Sequence, residues 1–196
     1  MADVPYQNPP PAKEQDSFED TWAQGQQNGP FDWIRAVNNR PVGKRFLLTA
    51  FGFFLVGGVQ SLLMRLQLAR PESGLISPEL YNQLFTMHGS TMLFLFVIPM
   101  LEGLATTIGP TIIGTRDMPM PRLTAFAYWT YLFGGLLMYS GFFFGYAPNG
   151  GWFAYVPLTG LEYSPGPNMD FWLLGLELAE ASGIIAALEL IIACLT

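Results

Sequence analysis

Four apolar runs dominate this chain, at about 46–64, 81–113, 123–145 and 170–196. Each is near the ~20 residues that an α-helix needs to cross ~30 Å of hydrocarbon. In lipid every backbone polar group must be satisfied within its own segment, so apolar runs of this length specify helices. The expected fold is all-α and integral to a membrane, with four transmembrane helices. The first run carries Gln60 as its only strongly polar residue. The second exceeds one crossing, so it should tilt or protrude, with a bend at Pro99. Composition agrees, since only 12% of residues are charged and 51% are hydrophobic.

The charges are unevenly placed. All nine Lys and Arg residues lie at or before Arg122. Arg35, Arg40, Lys44 and Arg45 precede the first run, and Arg116 and Arg122 follow the second. Arg65 and Arg70 lie on the other side among Glu72 and Glu79, and the loop from Tyr146 to Asn168 has no basic residue. This asymmetry puts the N-terminus in the cytoplasm, or on the matrix side of an organelle. The net charge of -6 argues against a nucleic-acid partner and leaves the lipid bilayer as the expected surroundings. Residues 1–30 are polar and Pro/Gln-rich, without the early apolar core of a secretory signal. They read as a disordered tail, with 31–196 as the membrane domain and Phe31, Trp33 and Ile34 opening a short interfacial helix. Cys194 alone forms no disulfide framework.

Chemistry-bearing residues in the spans are few. The only histidine, His88, lies within the second run, toward the outer side of the membrane. An ionisable side chain there is costly, and it usually faces protein and holds a metal, a proton or a partner; the bland alternative is a hydrogen-bonded packing histidine. Gly89 removes a side chain where a flat cofactor would need to approach the backbone. At about 100° per residue, His88, Thr91, Glu102 and Thr106 fall within about 60° of one another, a stripe that should face a bundle interior. Glu177, Glu180 and Glu189 occupy the fourth run, with Glu189 opposite Glu180. Without a basic residue nearby, each should be protonated, paired with another chain, or in contact with internal water. Arg65 ends the first run at the outer level, either aimed at a polar substituent of a cofactor held by His88 or snorkelling to headgroups. The outer loop, dense in turn formers and aromatics around Trp152 and Tyr155, reads as an aromatic belt or as a cap over a buried site. Gly141-Phe-Phe-Phe-Gly145 matches a helix close-packing motif.

Four segments carry a resemblance: Leu63-Met-Arg-Leu-Gln-Leu-Ala-Arg-Pro71, Tyr81-Asn-Gln-Leu-Phe-Thr-Met-His-Gly89, Gly114-Thr-Arg-Asp-Met-Pro-Met-Pro-Arg-Leu123 and Gly151-Trp-Phe-Ala-Tyr-Val-Pro-Leu158. From about residue 33 onward the chain resembles subunit I of the heme–copper oxidases, cytochrome c oxidase in particular. The resemblance implies a part of a larger twelve-helix bundle. It makes His88 one axial ligand of the low-spin heme (heme a) and Arg65 the arginine near that heme's formyl group. Trp152 and Tyr155 would lie in the outer loop close to the hemes and their propionates. Asp117 matches the acidic mouth of a proton-uptake channel. Thr106 and Thr124 stand where the family often has asparagines near that mouth. Glu102, Glu180 and Glu189 lie where many members are neutral, and Glu102 and Glu189 join the expected proton path.

Family members carry several more histidines. One histidine cannot provide bis-histidine ligation or a copper site. The second axial ligand, the high-spin heme and the copper are therefore expected from the rest of the complex. The chain is either a piece of a longer subunit or one part of a divided one, with no catalytic residue of its own and no activity expected in isolation. The implied function is respiratory electron transport from cytochrome c through heme a to the oxygen-reducing centre, coupled to proton uptake and pumping. Implied partners are the remaining helices of subunit I and a subunit II carrying a copper centre. The location would be a bacterial plasma membrane rather than the mitochondrial inner membrane. The alternatives are a quinol oxidase subunit I, with a quinol as donor, an oxidase-derived protein of heme handling or assembly, and a four-span bundle without heme.

Overall fold

The computed structural model describes residues 30–195 of the chain. The described residues fall into two units, one ending at Ala36 and one beginning at Val37. In the first, Pro30–Arg35 forms helix α1, the short helix expected around Phe31, Trp33 and Ile34. The preceding tail, expected to be disordered, lies outside the described residues.

The second unit runs through α2 (Asn39–Gln67), α3 (Pro78–Ser90), a π-helical segment (Thr91–Val97), α4 (Ile98–Ile113), α5 (Pro121–Phe143) and α6 (Asn168–Leu195). Helix α3, the π segment and α4 form one continuous rod, Pro78–Ile113. Among the described residues, three helices are long and apolar enough to cross a membrane: Asn39–Gln67, Pro78–Ile113 and Asn168–Leu195. The remaining expected span is helical as α5, whose 23 residues reach about 35 Å at 1.5 Å per residue. Tyr128, Trp129, Thr130, Tyr131 and Tyr139 dilute its hydropathy, and it is not among those three.

Local chemistry sets the helix ends. Ser77 caps α3 by accepting from the Leu80 amide at 3.1 Å, and Pro78 occupies the first turn, where a missing N–H costs nothing. Gly114, at φ 80°, ends α4 in the left-handed conformation that glycine adopts without strain.

A π-helical segment lies just before Pro99, where the sequence predicted a bend. Pro99 has no N–H to offer the carbonyl of Leu95, one turn back. The buried Tyr131 hydroxyl of α5 donates to that carbonyl at 2.7 Å instead. Pro110 frees the Thr106 carbonyl in the same way, and Asn39 Nδ2 of α2 donates to it at 3.3 Å. Two prolines thus create two acceptors, each bonded by a neighbouring helix.

Apolar burial contributes little to helix association in lipid, so close packing and interhelical hydrogen bonds must hold the bundle. Helices α5 and α6 cross at Gly134 and Gly175. A Cβ on Gly134 would stand 2.6 Å from the Gly175 carbonyl, and one on Gly175 would stand 2.7 Å from that of Gly134. Gly141 acts differently from the motif expectation: its carbonyl accepts from the Tyr146 amide at 2.7 Å, and Gly145, at φ 74°, turns the chain out of the helix. Phe46 of α2 stacks on Tyr131 with ring centroids 5.5 Å apart, at the centre of the core.

Candidate functional site

His88 lies in the last turn of α3, half-buried against α2. Its Nδ1 is 2.9 Å from the Gly57 carbonyl oxygen. A carbonyl can only accept, so Nδ1 carries the hydrogen and Nε2 of the neutral ring keeps its lone pair. The acceptor is thus the backbone of another helix, α2.

Gly57 is buried, and a Cβ there would fall 2.8 Å from Met92 Sδ and 3.5 Å from Thr91 Cγ2. Thr91 Oγ1 in turn pairs with the Tyr139 hydroxyl of α5 at 2.6 Å. Gln60, one turn beyond Gly57 on α2, donates its amide to the same hydroxyl at 3.1 Å. One turn along from the His88–Gly57 bond, the Tyr139 hydroxyl therefore joins α2, the π segment and α5.

The flat group over Gly89 is an indole. A Cβ on Gly89 would lie 2.7 Å from Trp152 Cδ1, so this glycine admits the outer loop rather than a cofactor. That loop is tied down twice more: the Gly151 amide donates to Thr86 Oγ1 at 2.9 Å, and Asn149 Nδ2 donates to Glu79 Oε1 at 2.8 Å. Trp172 of α6 donates to Ser90 Oγ at 2.8 Å, buried behind the same turn. The loop after α5 therefore lies along α3 at Glu79, Thr86 and Gly89.

Other expected site residues spread along the molecule. Arg65 is exposed near the end of α2, and Tyr155 is exposed on the outer loop, stacked on Phe153. Asp117 follows α4 and its Oδ1 accepts from the amides of Asn39 at 3.0 Å and Met118 at 2.8 Å. It therefore caps the N-terminus of α2, where the helix dipole favours a carboxylate. Thr106 and Thr124 are buried.

Two buried carboxylates are each held by a hydroxyl. Thr124 Oγ1 donates to Glu189 Oε2 at 2.7 Å, and Ser182 Oγ donates to Glu102 Oε2 at 2.9 Å. Both Oε1 atoms are buried and accept no hydrogen bond among the described residues. Glu177 and Glu180 are exposed, on the opposite side of α6 from Glu189. The stripe His88, Thr91, Glu102 and Thr106 faces protein, but each member meets a different partner. Sequence reasoning missed Tyr139, Tyr131, Asn39 and Ser182. Gln60, the lone polar residue of its span, was the one signal that α2 needed a buried partner.

Fold and site define an integral membrane protein of packed helices, with buried polar groups bonded between helices and one imidazole oriented by a backbone carbonyl. The chain belongs to the cytochrome c and quinol oxidase polypeptide I family, whose model matches residues 41–196. It is 47% identical over 160 residues to a putative cytochrome c oxidase subunit 1-beta of Streptomyces coelicolor, covering 81% of this chain and 28% of the relative. It is 36% identical over 159 residues to cytochrome c oxidase subunit 1 of Bacillus subtilis, covering 81% and 25%. It is 34% identical over 164 residues to quinol oxidase subunit 1 of Bacillus subtilis, covering 84% and 25%. The chain thus spans about a quarter of the length of these curated relatives.

Proposed function

We propose that this chain is the N-terminal, low-spin-heme-binding part of a cytochrome c oxidase subunit I. The carrying observation is His88, the only imidazole in the sequence, with Nδ1 engaged by Gly57 and Nε2 left able to coordinate. A carbonyl on the far nitrogen fixes the tautomer and strengthens the ligand. A Cβ at the adjacent Gly58 would meet nothing within 4 Å, so the backbone beside the imidazole has room for a flat group. When bound, heme a supplies one-electron transfer toward the oxygen-reducing heme–copper centre. This chain's residues would hold and orient it: His88 through Nε2 as an iron ligand, Arg65 near its formyl group, and Trp152 and Tyr155 from the loop after α5. The remaining helices of a twelve-helix subunit would supply the other iron ligand, the high-spin heme and copper.

For the proton path we assign Asp117 as the entrance, with Thr106, Thr124, Glu189 and Glu102 further along. Supporting this, Asp117 lies within electrostatic reach of Glu189, and each buried glutamate has one oxygen that is buried without a hydrogen-bond partner among the described residues. The path starts on the cytoplasmic side if α5 completes four spans with the N-terminus inside. Bacterial relatives favour the plasma membrane. The donor is read as cytochrome c acting through the copper centre of subunit II, because the Streptomyces relative carries that name at higher identity. The quinol oxidase relative supports a second reading with a quinol donor.

The test is a reduced-minus-oxidised spectrum of the assembled complex. Wild type should show a low-spin heme a band, and His88→Ala should lose it while other subunits still co-purify. A retained low-spin band in that variant overturns the ligand assignment.

A further inference from the structure

We propose that Tyr139 is a positioning residue for His88, acting through Thr91 and Gln60. The proposal deepens the reading of His88 as a heme ligand and rests on it.

The geometry is a frame of three helices. Gly57 on α2 accepts the hydrogen of His88 Nδ1 at 2.9 Å. One turn away on each of those two helices, Gln60 and Thr91 meet the same Tyr139 hydroxyl, at 3.1 and 2.6 Å. Gln60 Nε2 can only donate, so the phenolic oxygen accepts from it and its own hydrogen is free to go to Thr91. The hydroxyl therefore fixes the spacing of α2 and the rod at the level beside the imidazole. Thr91 transmits this directly, because its methyl carbon lies against the Gly57 position, 3.5 Å from where a Cβ would stand. The Tyr139 ring is held independently by stacking on Phe53 of α2, with centroids 5.8 Å apart.

What the frame controls is the strength of the Nδ1–H···O bond. A strong bond gives the imidazole partial anionic character and makes Nε2 a better donor, which favours oxidised iron. Loosening the frame weakens Nδ1 donation and favours the reduced form. Tyr139→Phe removes the hydroxyl and leaves the stacked ring. Thr91→Val removes the other hydroxyl while keeping the methyl group against Gly57.

The experiment is a redox titration of the low-spin heme in the purified complex, with heme content and band position recorded alongside. Each single variant should retain heme and shift the reduced-to-oxidised ratio toward reduced by about threefold to tenfold, at or below the low end of the effects of outer-shell partners of metal ligands. The double variant should shift no further than Tyr139→Phe alone, because that change already removes the bond to Thr91 along with the one to Gln60. Potential and band position unchanged in intact Thr91→Val complex overturn the proposal, including where Tyr139→Phe fails to assemble. His88→Ala separates the two claims. If it keeps the low-spin band, the ligand reading falls with the positioning role; if it loses the band while Thr91→Val does nothing, only the positioning role falls.

Discussion

Gly89 and Gly52 lie on different helices and place opposite demands on a methyl group. At Gly89 the space for a Cβ is taken by the Trp152 ring, while at Gly52 a Cβ would meet nothing within 4 Å. The indole is not a flexible tip that can swing aside, because the loop on either side is anchored at Glu79 and Thr86. Gly89→Ala should therefore destabilise by about 1–3 kcal/mol, the usual cost of overpacking. Gly52→Ala should be neutral or slightly stabilising. Thermal unfolding of the detergent-solubilised complex reads both. Adding Trp152→Ala should remove most of the Gly89→Ala penalty, since the two changes share one contact; simple additivity would show that the clash lies elsewhere. The sequence made Gly89 conspicuous by its place beside His88. It could not show that the space belonged to a tryptophan 63 positions along the chain, because a glycine records only that something comes close.

Within the long rod, proline chemistry carries the argument. Pro99 was visible as a bend, and the apolar run around it as a helix, because length and hydropathy suffice for that much. The π segment was not visible, since Thr91–Val97 reads as ordinary apolar helix. Nor was the destination of the Leu95 carbonyl, because main-chain acceptors leave no residue signature. Tyr131 was hidden among the aromatics of α5, where a hydroxyl is distinguished from a ring only once its neighbour is known. Tyr131→Phe leaves a buried carbonyl without a partner and should destabilise by about 1–3 kcal/mol. Pro99→Ala in that background restores an N–H within reach of the rod's own carbonyls and should recover part of the loss. Denaturant or thermal unfolding of the two variants checks this; no recovery would mean that the π geometry, rather than the missing donor, fixes the local structure.

Charge distribution and the buried carboxylates together give the molecule a direction. That Glu189 and Glu180 lie on opposite sides of α6 was legible from helical phase, but which of them turns inward was not. Nor was the pairing of Glu189 with Thr124, because two residues 65 positions apart reveal their contact only when α5 and α6 pack. The proposed orientation in the bilayer rests on the basic residues around the start of α2 and after α4, and on the lack of Lys or Arg between Tyr146 and Asn168. Arg116 between α4 and α5 and Glu162 between α5 and α6 are both exposed, and α5 separates them by a length sufficient to cross a bilayer. Single cysteines at these two positions, in the full subunit within its complex, should then label from opposite sides. A membrane-impermeant maleimide should modify Glu162→Cys in intact spheroplasts and Arg116→Cys only in inverted vesicles. Labelling of both from one side would mean that α5 does not span. The reverse pattern would put Asp117 on the outer face, and with it the entrance assigned to the proton path.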